Sequence, residues 1–170
     1  MIAFGRSASL FLLVLVMFGS GVVSAQSTER SVVGSWKLLS YVDTSPNGTK
    51  RFPWGTAPSG LLMYDRSGNM AVQVQRTPVI KLKAKYEQDL RTKDSAALSG
   101  AYTAYFGKYV VDWDKMTITH HVEGNLFPFY IGTDQVKQFE MNRDTLTLKV
   151  SWTEHGKTWS GIRVFSRLSE

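Results

Sequence analysis

The chain has 170 residues, a formal net charge of +6 and no cysteine. Without cysteine it can form neither a disulfide framework nor a lipid anchor on a cysteine, and it has no Gly-x-Ser-x-Gly elbow, phosphate-binding glycine loop or dinucleotide fingerprint. The positive charge is dispersed among many acidic residues and no recognised binding motif accompanies it, so we expect no nucleic-acid partner.

The N-terminus has the pattern of an export signal. Arg6 precedes the apolar run 10–18, and residues 23–25 provide the small side chains that a signal peptidase requires. The apolar run is too short to cross a bilayer core of about 30 Å as a helix. We therefore predict a signal peptide at residues 1–25 and a periplasmic or secreted protein with no stable membrane insertion after cleavage.

The rest of the chain predicts a single domain. Polar residues dominate the start of the stretch 26–33, which we expect to be a flexible leader, and residues 34–169 contain eight short segments with strand character. In the clearest segment, Leu146, Leu148 and Val150 share one face and polar side chains occupy the other. The predicted strands are 36–42, 61–64, 70–75, 102–111, 116–123, 135–141, 145–152 and 159–168.

One stretch between these strands has a different period. Residues 78–100 are rich in charged residues and alanine, and Leu82, Tyr86 and Leu90 recur at four-residue intervals, which predicts one or two short helices. Eight short strands with one helical insertion favour an all-β fold, an antiparallel eight-stranded barrel, because closure removes exposed strand edges. Such a barrel is either filled by side chains or holds one small ligand. The sequence leaves both possibilities open.

A series of motifs then covers the chain from residue 34 to 168. Gly34–Trp36 opens the first predicted strand as Gly-x-Trp. Further blocks follow at Pro58–Tyr64, Gly68–Val72, Tyr102–Tyr109, Ile118–Glu123, Pro128, Gly132–Val136 and Asp144–Leu148. In the order of these blocks the chain resembles the bacterial and fungal lipocalin-like domain family. The resemblance implies a small barrel with a central pocket, closed at one end by Trp36 beneath Arg163 or Arg167.

One position departs from the pattern of that family. Its members often carry an arginine on the strand after the Gly-Thr segment, where Lys137 stands in this chain. A lysine ammonium cannot reproduce the planar, two-pronged donor of a guanidinium. Bidentate recognition of a carboxylate is therefore not expected from this position.

Two adjacent histidines are candidates for chemistry. His120 and His121 must point to opposite faces of a strand, and His120 shares its face with Ile118 and Val122, which predicts that it points inward. His120 is either a hydrogen-bonding or acid–base group, or a buried histidine whose hydrogen bonds neighbouring groups satisfy. His121 and Glu123 on the polar face are too few for a metal site. We predict neither a metal nor a cofactor.

Aromatic residues suit the wall of a ligand pocket, because rings with a polar group combine apolar area with hydrogen bonding. Tyrosine and phenylalanine crowd the strand 102–111 and the loop 127–130, although each ring taken singly is more simply explained by core packing. Gln135 shares a face with Phe139 and is expected to point inward. The predicted ligand-binding residues are Tyr64, Tyr105, Tyr109, His120, Asn125, Gln135 and Phe139.

Three functions compete for this sequence. The leading hypothesis is an exported lipocalin-like protein that binds a small hydrophobic or amphiphilic molecule in the barrel cavity. The alternative is a cofactor-free isomerase or cyclase in which His120 acts as acid or base and Tyr109 polarises a carbonyl. A third is a structural or partner-binding envelope protein with a filled barrel and an exposed apolar patch. We favour binding over catalysis.

Overall fold

The structure is a computed structural model, and the residues that it describes are 30–82, 84, 86–90 and 92–169. The predicted signal peptide, residues 1–25, lies outside the described residues, as do residues 26–29 of the predicted leader. The described residues from Ser31 onward cluster as one compact unit.

Antiparallel strands make up most of the described fold. The nine strands are β1 (Gly34–Thr44), β2 (Lys50–Arg51), β3 (Ser59–Tyr64), β4 (Asn69–Gln75), β5 (Tyr102–Asp112), β6 (Thr117–Asn125), β7 (Asp134–Met141), β8 (Thr145–Glu154) and β9 (Lys157–Arg167). From β3 to β9 each strand pairs with the next along the chain, and β1 pairs with both β3 and β9. The two-residue β2 only extends the edge of β1. The predicted all-β, eight-stranded antiparallel barrel is confirmed.

A helical insertion separates β4 from β5, as the sequence predicts. It contains a 3-10 turn at Glu87–Asp89 and one α-helix, α1, at Thr92–Ser99. The residues that recur at four-residue intervals end at Leu90 and therefore precede α1. Their spacing predicted a helix in the right part of the chain but not at the residues that form it. Within the described residues, neither helical element has the length and hydrophobicity that crossing a membrane requires.

The core forms from alternate residues of the strands, because successive side chains point to opposite faces. On β6, Ile118, His120 and Val122 are fully buried. On β7 the pattern is unusual for a barrel strand, since Lys137 is buried while its neighbour Val136 is 62% exposed. The charged Lys137 side chain therefore points into the barrel, whereas the apolar Val136 next to it faces solvent.

A β-bulge in β1 changes which residues of that strand face inward. Before the bulge, Trp36 and Leu38 are buried, and the pairing with β9 shifts between Leu38 and Ser40. After it, the inward positions are Tyr41 and Asp43, and Asp43 is only 4% exposed. One extra residue in a strand reverses its two faces. The bulge thus places a carboxylate inside the barrel.

Trp36 and Arg167 hold the end of the barrel at which β1 begins and β9 ends. Trp36 is fully buried, and its indole N–H donates to the carbonyl of Val32 at 2.8 Å. The guanidinium carbon of Arg167 lies 4.0 Å from the centre of the Trp36 ring. Arg167 also donates to the carbonyls of Ser31 and Val33, at 3.0 and 2.7 Å.

These contacts settle which arginine lies over Trp36, and they alter the boundary of the predicted leader. Arg167 occupies the position over Trp36, whereas Arg163 lies earlier on β9 with its guanidinium carbon 3.3 Å from the centre of the Tyr41 ring. Val32, which the sequence assigned to the flexible leader, is 2% exposed. The packed structure therefore begins before Gly34.

Candidate functional site

A cavity of about 1050 Å³ lies inside the barrel. Ligand pockets in proteins commonly measure roughly 300–1000 Å³, so the cavity has room for a small organic molecule. Inward-facing aliphatic residues of β4 and β8, such as Val74 and Leu148, form part of its wall. Its aromatic lining includes Tyr41, Trp54, Tyr105, Phe127, Phe129 and Trp152. The barrel interior is therefore not completely filled by side chains.

Arg163 is the first of two buried cations in the cavity wall. It is 8% exposed, and its guanidinium donates to Asp43 Oδ1 at 2.7 Å and to the carbonyl of Val42 at 2.8 Å. A Cβ on Gly161 would lie 2.6 Å from Arg163 Nη1, so the glycine leaves the room that the guanidinium occupies. Asp43 also accepts from Arg51 at 3.1 Å. Arg163 is thus paired with a buried carboxylate.

Lys137 is the second buried cation. It is 8% exposed, its Nζ donates to Gln135 Oε1 at 3.0 Å, and Nζ lies 5.9 Å from the centre of the Tyr105 ring. Among the described residues no carboxylate lies within salt-bridge distance of Nζ. Burial, together with the nearby charge of Arg163, lowers the pKa of Lys137 to about 7. Below about pH 7 the cavity wall therefore holds an ammonium group with no carboxylate partner among the described residues.

His120 lies in the core next to this wall, held by two tyrosines. Its Nε2 is hydrogen-bonded to Tyr64 Oη at 2.7 Å and its Nδ1 to Tyr105 Oη at 2.9 Å. Burial, with the charge of Lys137, places the pKa of His120 well below its ordinary value. A neutral imidazole has one donor and one acceptor nitrogen, so one tyrosine donates to the ring and the other accepts from it. Burial raises the pKa of both tyrosines.

The residues predicted from the sequence to bind a ligand divide into two groups. Tyr105, Asn125 and Gln135 line the cavity. Those that lie in the core beside it, and not on its wall, are Tyr64, Tyr109, His120 and Phe139. Phe139 packs edge-on against Trp113, with ring centres 5.4 Å apart.

Two aromatic residues of β5 face away from the cavity. Tyr102 and Phe106 are 37% and 57% exposed, because they alternate with the inward residues Tyr105 and Tyr109. The aromatic cluster of this strand therefore contributes Tyr105 alone to the wall of the large cavity.

The acid–base pair expected for an isomerase or cyclase is not directed at one point. Tyr109 is the cross-strand partner of His120, but its hydroxyl donates to the carbonyl of Asp65 at 2.7 Å. Both ring nitrogens of His120 are occupied by Tyr64 and Tyr105. This geometry corresponds to the alternative of a buried, hydrogen-bonded histidine.

His121 lies on the outer face, where its Nδ1 is 2.7 Å from Asp134 Oδ1. In the part of the chain that the structure describes, no group of three or more His, Cys, Asp or Glu side chains is arranged to hold a metal ion. The two histidines are therefore separate in space, one in the core and one at the surface.

Three residues of the cavity wall were not predicted from the sequence to line it: Lys137, Arg163 and Asp43. A signal was available for Lys137, because it alternates with Gln135 and Phe139, and these three residues must share a face of β7. Arg163 lies two residues before the buried Phe165 on β9, so the two side chains share a face of that strand. For Asp43 no such signal exists, because its orientation depends on the bulge in β1.

Comparison with known proteins agrees with this architecture. The sequence model of the lipocalin-like domain family matches residues 33–167. The matched stretch runs from the start of β1 to the end of β9 and so includes every strand of the barrel. No curated protein and no solved structure matches the chain.

Proposed function

We propose, because the chain belongs to the lipocalin-like domain family, that it binds a small hydrophobic or amphiphilic molecule inside its barrel. The observation that carries this proposal is the cavity of about 1050 Å³ with its aromatic and aliphatic walls. Burying apolar ligand surface there contributes about 25 cal/mol per Å², and the polar groups of the wall set the orientation of the ligand.

The lining changes in character with depth, which favours an amphiphilic ligand. Phe129, in the short 3-10 turn Pro128–Tyr130 after β6, is 71% exposed and marks the rim. Lys137 and Arg163 are each 8% exposed and mark the interior. A molecule with an apolar body and one polar end would match this order, with its polar end in the barrel.

The first test uses a neutral fluorophore, N-phenyl-naphthylamine, whose emission increases in apolar surroundings. The protein is expected to take it up in a saturable manner. The variant Val150→Trp adds a large ring to the cavity wall and should weaken uptake, whereas Val110→Trp on the outer face, 69% exposed in the parent, should leave it unchanged. Absence of uptake by the parent chain, or unchanged uptake by Val150→Trp, would refute cavity binding.

A second test identifies the natural ligand. Native mass spectrometry of the protein purified from its own compartment should show a mass above that of the chain, which denaturation removes. The released molecule can then be identified by its mass and fragmentation. A parent protein that carries no ligand and takes up none when offered apolar extracts would contradict the proposal.

We also propose that the protein is exported. Support comes from Arg6, the apolar run 10–18 and the small residues at 23–25. N-terminal sequencing of the protein from culture medium or periplasm should give a mature chain that starts near Gln26. An intact Met1 on protein recovered only from the cytoplasm would argue against export.

A further inference from the structure

Lys137 is the one buried group of the described cavity wall whose charge is uncompensated. Among the described residues its ammonium donates one hydrogen bond, to Gln135 Oε1, and has no carboxylate partner. Asp43, a buried carboxylate of the cavity wall, is already shared by Arg163 and Arg51. A buried charge is costly unless it is paired, and the adjacent Arg163 adds positive potential.

We infer that Lys137 is the anchor for an acidic head group, and that the molecule bound in the barrel is a carboxylic acid with an apolar body. This inference rests on the proposed function, because it names the chemical class of the molecule that the cavity binds. The ligand carboxylate would form the ion pair that Lys137 does not form with any described residue of the protein.

The chemistry of the wall fits a single negative charge. One uncompensated ammonium balances one carboxylate, whereas a phosphate monoester carries about −1.5 to −2 and would exceed it. Lysine binds as a point charge and engages one oxygen. The Gln135 amide, which also lines the cavity, carries N–H donors that can engage the second oxygen. Lys137 and Gln135 together therefore provide the donors that a carboxylate needs.

The rest of the wall fits the apolar body of such an acid. Val74 and Leu148 are buried, and Trp54 and Phe127 line the cavity beyond them. An inorganic anion would leave this apolar surface uncovered. The combination of apolar wall residues with one buried cation that has no carboxylate partner among the described residues selects an amphiphilic acid over a free ion.

The test compares two molecules that differ only in the head group, decanoate and decanol, by titration calorimetry near pH 6.5. The parent protein should bind decanoate about ten- to a hundred-fold more tightly, the range typical of a hydrogen bond to a charged group. Lys137→Met should bind both alike. The control Lys149→Met removes the same charge from the outer face, where Lys149 pairs with Glu140, and should keep the preference.

The pH profile provides a second readout. Facing Lys137 are Tyr105 on β5, His120 on β6 and Arg163 on β9, with Asp43 on β1 beside Arg163. Since the pKa of Lys137 in the free protein is about 7, decanoate affinity should be constant below that pH and fall above it. Decanol affinity should not change over the same range.

The outcomes separate this inference from the proposed function. Equal affinity for decanoate and decanol in the parent protein would overturn the role of Lys137 while leaving cavity binding intact. A preference for decanoate that persists in Lys137→Met would likewise overturn the role of Lys137. Failure of decanoate, decanol and the neutral fluorophore alike would refute cavity binding, and the inference with it. Uptake of the fluorophore by Lys137→Met shows that this variant is folded.

Discussion

The guanidinium of Arg167 stacks on the ring of Trp36, with 4.0 Å between the guanidinium carbon and the ring centre. The same group donates to three backbone carbonyls, those of Ser31, Val33 and Arg143, at 3.0, 2.7 and 3.0 Å. It thereby joins the segment before β1, the β7–β8 turn and the end of β9. A planar group with several donors is needed to make all four contacts at once.

We predict that Arg167→Lys destabilises the barrel although it keeps the charge. An ammonium cannot stack as a plane or donate in three fixed directions, so the free energy of unfolding should fall by about 1–3 kcal/mol. Urea denaturation followed by tryptophan fluorescence measures the loss. Arg143→Lys is the control, because the Arg143 side chain is exposed and only its backbone carbonyl contacts Arg167. Equal stability of the two variants would contradict the assignment.

We predict a second loss of stability for Gly34→Ala. Gly34 has a φ of +134°, a region that residues with a side chain rarely adopt, and an added Cβ would lie 2.8 Å from Arg167 Nη1. The substitution should cost more than about 1 kcal/mol. Gly132→Ala separates the causes, since Gly132 also has a positive φ, +79°, but open space around its Cβ position. A loss no larger at Gly34 than at Gly132 would show that the contact with Arg167 is unimportant.

The sequence predicted the barrel well because its signals are local. Alternation of apolar and polar residues placed Leu146 and Leu148 inside on β8 and His120 inside on β6, and each is buried. Pairing partners follow once the strands and their short connections are known, since antiparallel neighbours in a meander are adjacent along the chain. The closure of the sheet by β1 and β9 then completes the fold.

The site was less predictable because it depends on contacts that alternation does not encode. The bulge in β1 turns Tyr41 and Asp43 inward, and a pattern of period two continued from Trp36 would have placed both outside. Lys137 was considered only as a departure from the arginine that members of the family often carry, although its alternation with Gln135 already indicated an inward position. Charged residues at inward positions are rare in barrels, so alternation alone gave them little weight.

We predict that the hydroxyl of Tyr64 supports His120 in the core. Tyr64→Phe removes the group bonded to Nε2 and leaves a buried nitrogen unsatisfied, which should cost about 1–3 kcal/mol of unfolding free energy. Adding Tyr64→Phe to His120→Leu should cost much less, since the nitrogen is then absent. Tyr109→Phe is the matched control, because its hydroxyl bonds to the Asp65 carbonyl near the surface. Additive effects of the two core substitutions would show that Tyr64 and His120 are not coupled.

The stability of the barrel should rise with pH between about 7 and 10. Burial lowers the pKa of Lys137 from 10.5 to about 7 in the folded chain. In this window the unfolded chain binds a proton that the folded chain has released, so the free energy of unfolding increases by up to about 1.4 kcal/mol per pH unit. Above pH 10 the trend should reverse, because burial raises the pKa of Tyr64 and Tyr105 and only the unfolded tyrosines ionise.

Urea denaturation at a series of pH values from 6 to 10 tests whether Lys137 causes this slope. The free energy of unfolding of Lys137→Met should change little with pH in that range. The variant should be more stable than the parent, and the difference should be largest at the lowest pH values, where the folded parent contains a buried ammonium. Lys149→Met, which loses an exposed charge, should retain the slope. His120, whose pKa burial lowers, should destabilise both proteins as the pH falls below about 6.5, because the unfolded histidine then binds a proton. A Lys137→Met profile as steep as that of the parent would mean that the ammonium is already compensated in the fold, and the case for an acidic ligand at this position would lose its physical basis.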